Sequence, residues 1–154
     1  MSRAVVYLFA LLAFASSFVF AAPVAEIAAR QVGNIQCNVD RLSIVSDLAA
    51  MQKTLKTLAT QTADDPTASA GVQSVTDSVS GAQSAIGTIA KALLTGQTAP
   101  ADARDQVKTN LLAAQSTLAG ITSTDSAVTA NLQKATTQLT KAGTAGEGVV
   151  SNCK

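Results

Sequence analysis

Residues Ala68–Leu94 read ASAGVQSVTDSVSGAQSAIGTIAKALL, and their spacing decides the fold. Apolar side chains fall at Ala68, Val72, Val75, Val79, Ala82, Ile86, Ile89 and Leu93, in alternating steps of four and three. On an α-helix this rhythm lines all eight along one stripe and turns Gln73, Asp77, Ser80 and Ser84 away from it. A single amphipathic helix cannot bury such a seam alone, so partner helices of the same period are required.

Three further stretches supply them. Upstream, a helix is expected from Cys37 to about Ala59, with Ile35, Val39, Leu42, Val45, Leu48, Leu55 and Leu58 as its seam, Gln52 interrupting and Met51 beside it. The break QTADDP, Gln61 to Pro66, ends it. Asp65 is a good N-cap for the next helix, and Pro66 is the residue best tolerated at a first helical position. Within that second helix, Gly81 and Gly87 each cost about 1 kcal/mol relative to Ala, which makes sense where another backbone comes close.

The second break is TGQTAPAD, Thr95 to Asp102. A third helix then runs to about Ile121 through Ala103, Val107, Leu111, Ala114 and Leu118. Thr124 or Asp125 caps a fourth, which carries Val128, Leu132, Ala135, Leu139 and Ala142. Gly143, Gly146 and Gly148 are expected to end it, leaving a tail with Val149, Val150 and Cys153.

Four amphipathic helices with short links pack most simply as an all-α, up-down-up-down four-helix bundle. This topology puts the start of the first helix and the end of the fourth together. Cys37 and Cys153, the two cysteines of the chain, stand at those places and have one intramolecular pairing, the alternative being a bridge between molecules. Closing so long a loop stabilises the fold by about 4 to 5 kcal/mol in the chain-entropy model. A metal site is disfavoured, because two thiols with no His in the chain fall short of a tetrahedral set.

The first 22 residues, MSRAVVYLFALLAFASSFVFAA, have the form of a secretory signal peptide: Arg3, an apolar run, then Val19 and Ala21 at the −3 and −1 positions. The expected layout is a signal peptide over 1–21, an N-terminal arm or pro-segment over 22–36, and a bundle domain over 37–154. The arm contains Arg30, a candidate trimming site. No second apolar run follows, so no transmembrane segment is expected after cleavage, and the C-terminus lacks the hydrophobic tail of a lipid-anchor signal. Localisation is therefore expected to be secreted, extracellular or in a cell wall.

Composition sharpens this picture. Tyr7, Phe9, Phe14, Phe18 and Phe20 all lie in the leader, so the mature core is built from Ala, Val, Ile, Leu and Met51. The formal charge is +1, and taking Arg3 off with the leader (+1 − 1) brings it to about zero. A neutral chain without basic clusters excludes nucleic acid as a partner.

Catalytic patterns are absent. No His is present to serve as a base, and no G-x-S-x-G turn occurs. The paired carboxylates Asp64–Asp65 and Asp102–Asp105 fall at helix starts, where capping and dipole complementation account for them. Lys53, Lys56, Lys91, Lys108, Lys134 and Lys141 are dispersed as solvated charges. Neither an enzyme nor a cofactor is expected.

The leader ending in AAPVAEIAARQ, followed by an aromatic-free domain rich in Ala, Ser, Thr and Leu, resembles fungal small secreted proteins. Within it, VDRLSIVSDLAAMQKTLKTLA (Val39 to Ala59) and the amphipathic repeats up to Ala142 resemble the hydrophobic surface binding protein A family, which includes fungal cell-wall mannoproteins. The resemblance implies an all-helical secreted protein that binds hydrophobic surfaces or lipid-like ligands, with no catalytic residues.

The expected contacts are Leu48, Leu55, Val75, Ile86, Leu111, Leu118, Leu132 and Leu139, exposed when the middle of the bundle opens while its Cys37–Cys153 end stays closed. The alternative is an effector or interaction protein, or a helical enzyme inhibitor, acting by contact with a host or cell-wall protein.

Overall fold

The computed structural model describes residues 34–153; the leader, the arm as far as residue 33, and Lys154 lie outside them. Four helices follow one another: α1 (Ile35–Gln61), α2 (Pro66–Leu94), α3 (Ala101–Gly120) and α4 (Ser126–Asn152). Among the described residues there is no strand.

Helix starts follow side-chain chemistry. Asn34 Oδ1 accepts from the amides of Gln36 and Cys37, Asp65 Oδ1 from those of Thr67 and Ala68, and Asp125 Oδ1 from those of Ala127 and Val128. Each satisfies amides that no helical carbonyl can reach. The start of α3 differs: Pro100 holds the N-cap position and offers no side-chain bond. Gly96, at φ 73°, takes the left-handed conformation that ends α2.

The bundle is up-down-up-down, and its helices associate in two pairs. α1 packs chiefly on α4 and α2 chiefly on α3, with fewer contacts between the pairs. Antiparallel register in the first pair follows from three ties: Cys37 to Cys153, Thr54 Oγ1 to Gln138 Oε1 at 2.9 Å, and Asn131 Nδ2 to Gln61 Oε1 at 3.0 Å. Residue numbers fall in α4 as they rise in α1. The Cys37–Cys153 disulfide spans 5.1 Å between Cα atoms, inside the usual range.

Where the pairs meet, Leu48, Met51, Leu55 and Leu58 of α1 pack with Val72, Val75, Val79 and Ala82 of α2, Ala114 and Leu118 of α3, and Val128, Ala135, Leu139 and Ala142 of α4. The expected α2 stripe is the observed one, its outer part (Ile86, Ile89, Leu93) half-buried. Aliphatic and alanine side chains let helices approach closely, at the cost of less apolar area per residue than aromatic packing gives.

Two expectations are corrected. The first is the seam of α1: Ile35, Val39, Leu42 and Val45 are exposed, and the buried row is Cys37, Asp40, Ile44, Leu48, Met51, Leu55 and Leu58. Val39, Leu42, Val45 and Leu48 are separated by three successive steps of three. Each such step lags a full helical revolution by about 60°, so Val39 lies on the far side of the helix from Leu48.

The second is the end of α4. Gly143, Gly146 and Gly148 are all helical, and the helix continues to Asn152. Close packing on α1 holds this stretch helical: a Cβ on Gly148 would stand 2.6 Å from Asp40 Oδ2, so glycine is what lets Asp40 reach α4.

Candidate functional site

The disulfide end is built around a buried carboxylate. Asp40, 9% exposed, accepts from Gln36 Nε2 at 2.9 Å through Oδ1 and from Asn152 Nδ2 at 2.8 Å through Oδ2. Asn34 Nδ2 donates to the Asn152 carbonyl at 2.8 Å while its Oδ1 caps α1. Cys37 and Asp40 occupy successive turns of one face of α1, so the covalent and polar ties join the same two helices. The disulfide thus closes this end for α1 and α4; the α2–α3 link at the same end, residues 95–100, is not bridged by it.

The residues expected to make contact lie mostly inside the closed bundle. Leu48, Leu55, Val75, Leu118 and Leu139 are buried, and Ile86, Leu111 and Leu132 are half-buried against the same core. A different apolar set is on the surface: Ile35, Val39, Leu42, Val45, Leu94, Leu112 and Val150. Five of these seven belong to the disulfide end, in the first two turns of α1 or the last turn of α2 or α4, whereas Val45 and Leu112 sit nearer the middle of their helices. Ile35, Leu42, Val150 and Leu94 are 71–87% exposed.

Helical geometry sorts these side chains into two groups. Ile35, Val39 and Leu42, spaced four and three apart, share the outer face of α1, which Ser46 and Ala49 continue before the first charge at Lys53. Val45, Leu94 and Val150 face another way. Val45 lies seven residues before Gln52, whose Nε2 donates to Gln83 Oε1 of α2. Leu94 lies eleven residues after Gln83, and Val150 eleven after the core residue Leu139. Seven and eleven residues are close to whole numbers of turns, so all three lie in helical phase with side chains at or near the boundary between the pairs. They are nonetheless exposed, and Ile86, Ile89, Leu93, Val107 and Leu111 on the facing rows are half-buried. Apolar burial between the pairs is deepest at mid-bundle and incomplete towards both ends: Ile121 and Leu132 near the α3–α4 link are half-buried, as are Ile86, Ile89 and Leu93 towards the disulfide, where Ile44 and Ala145 stay buried.

Two shallow depressions elsewhere are open to solvent. One, beside the α3–α4 link, is lined by Ile121, Leu132, Thr129 and Thr136. The other, between α1 and α4, is lined by Ser46, Lys53, Thr54, Lys134 and Gln138. Among the described residues no group of three or more Cys, Asp or Glu is placed to hold a metal ion, and no helix is long and apolar enough to cross a membrane. The six lysines among the described residues are exposed on outer faces. Asp65 and Asp125 are helix caps and Asp102 lies in the first turn of α3.

The exposed stripe on α1 could have been found in the sequence by counting 100° per residue instead of steps of three and four. The Asp40–Asn152 clasp leaves no such trace, because it joins residues 112 apart. No protein-family model, curated protein or solved structure matches this chain.

Proposed function

We propose that this is a secreted, non-catalytic helical protein that binds hydrophobic surfaces or lipid-like ligands, in keeping with its resemblance to the hydrophobic surface binding protein A family and the cell-wall proteins within it. The observation that carries this reading is the gathering of Ile35, Val39, Leu42, Leu94 and Val150 at one end of a chain with little charge. Single exposed leucines are ordinary on protein surfaces, whereas several exposed apolar side chains gathered at one end of a small domain point to an interaction site. Fully burying a Val, Leu or Ile side chain contributes about 1.5–3 kcal/mol. Five that are already partly covered offer roughly 5–10 kcal/mol gross, from which the cost of immobilising the protein is subtracted. Reversible adsorption follows, not permanent insertion.

The same patch favours one second reading. An outer face such as Ile35–Val39–Leu42 has the spacing that an apolar groove on another protein accepts, so an effector, interaction protein or inhibitor would use it too. Surface-pressure measurements at an oil–water interface, with circular dichroism in the presence of phosphatidylcholine vesicles, decide between them. Adsorption with helicity retained supports surface binding. A protein that stays off both interfaces rules that function out and leaves protein contact as the role of the patch.

A further inference from the structure

Every backbone link between the two helix pairs lies at one end of the molecule. α1 passes to α2 through residues 62–65, and α3 passes to α4 through residues 121–125. In an up-down-up-down bundle these links share the end opposite the disulfide. The remaining covalent connections each stay within a pair: Cys37–Cys153 joins α1 to α4, and residues 95–100 join α2 to α3.

Packing is divided the same way. Within pairs, fits are tight and particular. Gly148 receives the Asp40 carboxylate, and a Cβ on Gly81 would stand 2.8 Å from Asn110 Oδ1. Ala85 and Ala92 are buried although they lie outside the core between the pairs, and they share the α3-facing side of α2 with Gly81. Between pairs the interface is aliphatic, is crossed by the Gln52–Gln83 bond at mid-height, and on the α2 side is half-covered from Ile86 outward, while Ile44 and Ala145 of the facing pair stay buried.

We infer that the bundle opens as two rigid halves, α1/α4 and α2/α3, parting from the disulfide end and turning about residues 62–65 and 121–125. The disulfide keeps α1 and α4 together as one half and places no restraint on the separation. This inference rests on the surface-binding reading for its purpose, since parting would present Leu48, Val75, Val79, Leu118 and Leu139 to an apolar phase in place of one another. It stands on connectivity and packing for its mechanism.

Thiol labelling tests the parting without any lipid. Val79→Cys places a thiol between the pairs, and Ala85→Cys, less than two turns along α2, places one between α2 and α3; the parent residues are 0% and 2% exposed. With the native disulfide intact and helicity unchanged, the Val79→Cys thiol should react at least tenfold faster than the Ala85→Cys thiol. Such a difference marks a sub-global opening that reaches one interface and not the other. Should Val79→Cys fail to fold, Val75→Cys, also 0% exposed in the parent, serves in its place. Equal rates, meaning that only global unfolding exposes either site, would overturn the inference, as would faster labelling at Ala85→Cys.

Spin labels carry the test to the bound state. On phosphatidylcholine vesicles the Ser46→Cys/Ala90→Cys distance, across the pairs, should lengthen by roughly a helix diameter, about 10 Å. The Ser46→Cys/Lys141→Cys distance, within α1/α4, should hold. Vesicle binding with neither distance changed would show docking of the closed bundle and defeat the opening, while leaving surface binding in place. Failure to bind vesicles would defeat the functional reading, and the labelling ratio would still report on the opening.

Discussion

Gly148 and Gly87 are both helix-interior glycines, and their surroundings give them opposite roles. Replacing either with Ala removes a helix penalty of about 1 kcal/mol. At Gly87 no atom lies within 4 Å of the added methyl, so Gly87→Ala should stabilise the protein by up to that amount. At Gly148 the methyl meets the Asp40 carboxylate, whose two side-chain hydrogen bonds fix it in place. Hydrogen bonds to a charged group are worth about 1.5–3 kcal/mol each. Their disturbance outweighs the propensity gain, so Gly148→Ala should lower stability by about 1–2 kcal/mol. Thermal melts of the two variants should move in opposite directions from the parent; two upward shifts would mean that the Asp40 clasp contributes nothing.

Among the elements, α3 and α4 differ in how they begin. Asp125 Oδ1 accepts from two amides, at 2.7 and 3.2 Å, while Pro100 supplies no side-chain acceptor. Asp125→Ala should therefore cost about 1 kcal/mol in chemical denaturation, and Pro100→Ala much less at the corresponding position of α3. Equal losses would place the stability of these helix starts elsewhere than in their caps. Caps and breaks are local chemistry, which is why Asp65–Pro66, Asp125 and the α2 stripe could all be read from the chain in advance. Where a helix alternates its steps strictly, as from Ala68 to Leu93, the pattern names its buried face. α1 offers two apolar rows, Ile35–Val39–Leu42 and Cys37–Ile44–Leu48, and step-counting slid from one to the other. The glycines of α4 misled for a related reason: what keeps Gly148 helical is Asp40, brought to it by the tertiary fold.

For the whole molecule, topology and redox chemistry converge: two cysteines placed at the ends of a four-helix chain meet because an up-down-up-down path returns its last helix beside its first. That end is also where exposed apolar side chains gather, at Ile35, Val39, Leu42, Leu94 and Val150. The eight residues read from the sequence as contacts line or border the interior, so they meet an apolar phase only if the pairs part, whereas Leu42, Leu94 and Val150 meet it in the closed form. Substituting exposed side chains leaves folding stability within about 0.5 kcal/mol for most sites, so their part in binding can be separated from their part in folding. The most direct measurement is adsorption of the Leu42→Ser/Leu94→Ser/Val150→Ser variant to an oil–water interface, beside the parent protein at equal concentration. The expected result is an unchanged melting temperature with adsorption weakened at least tenfold; adsorption equal to the parent's, by a variant that melts at the same temperature, would contradict an apolar binding surface at the disulfide end.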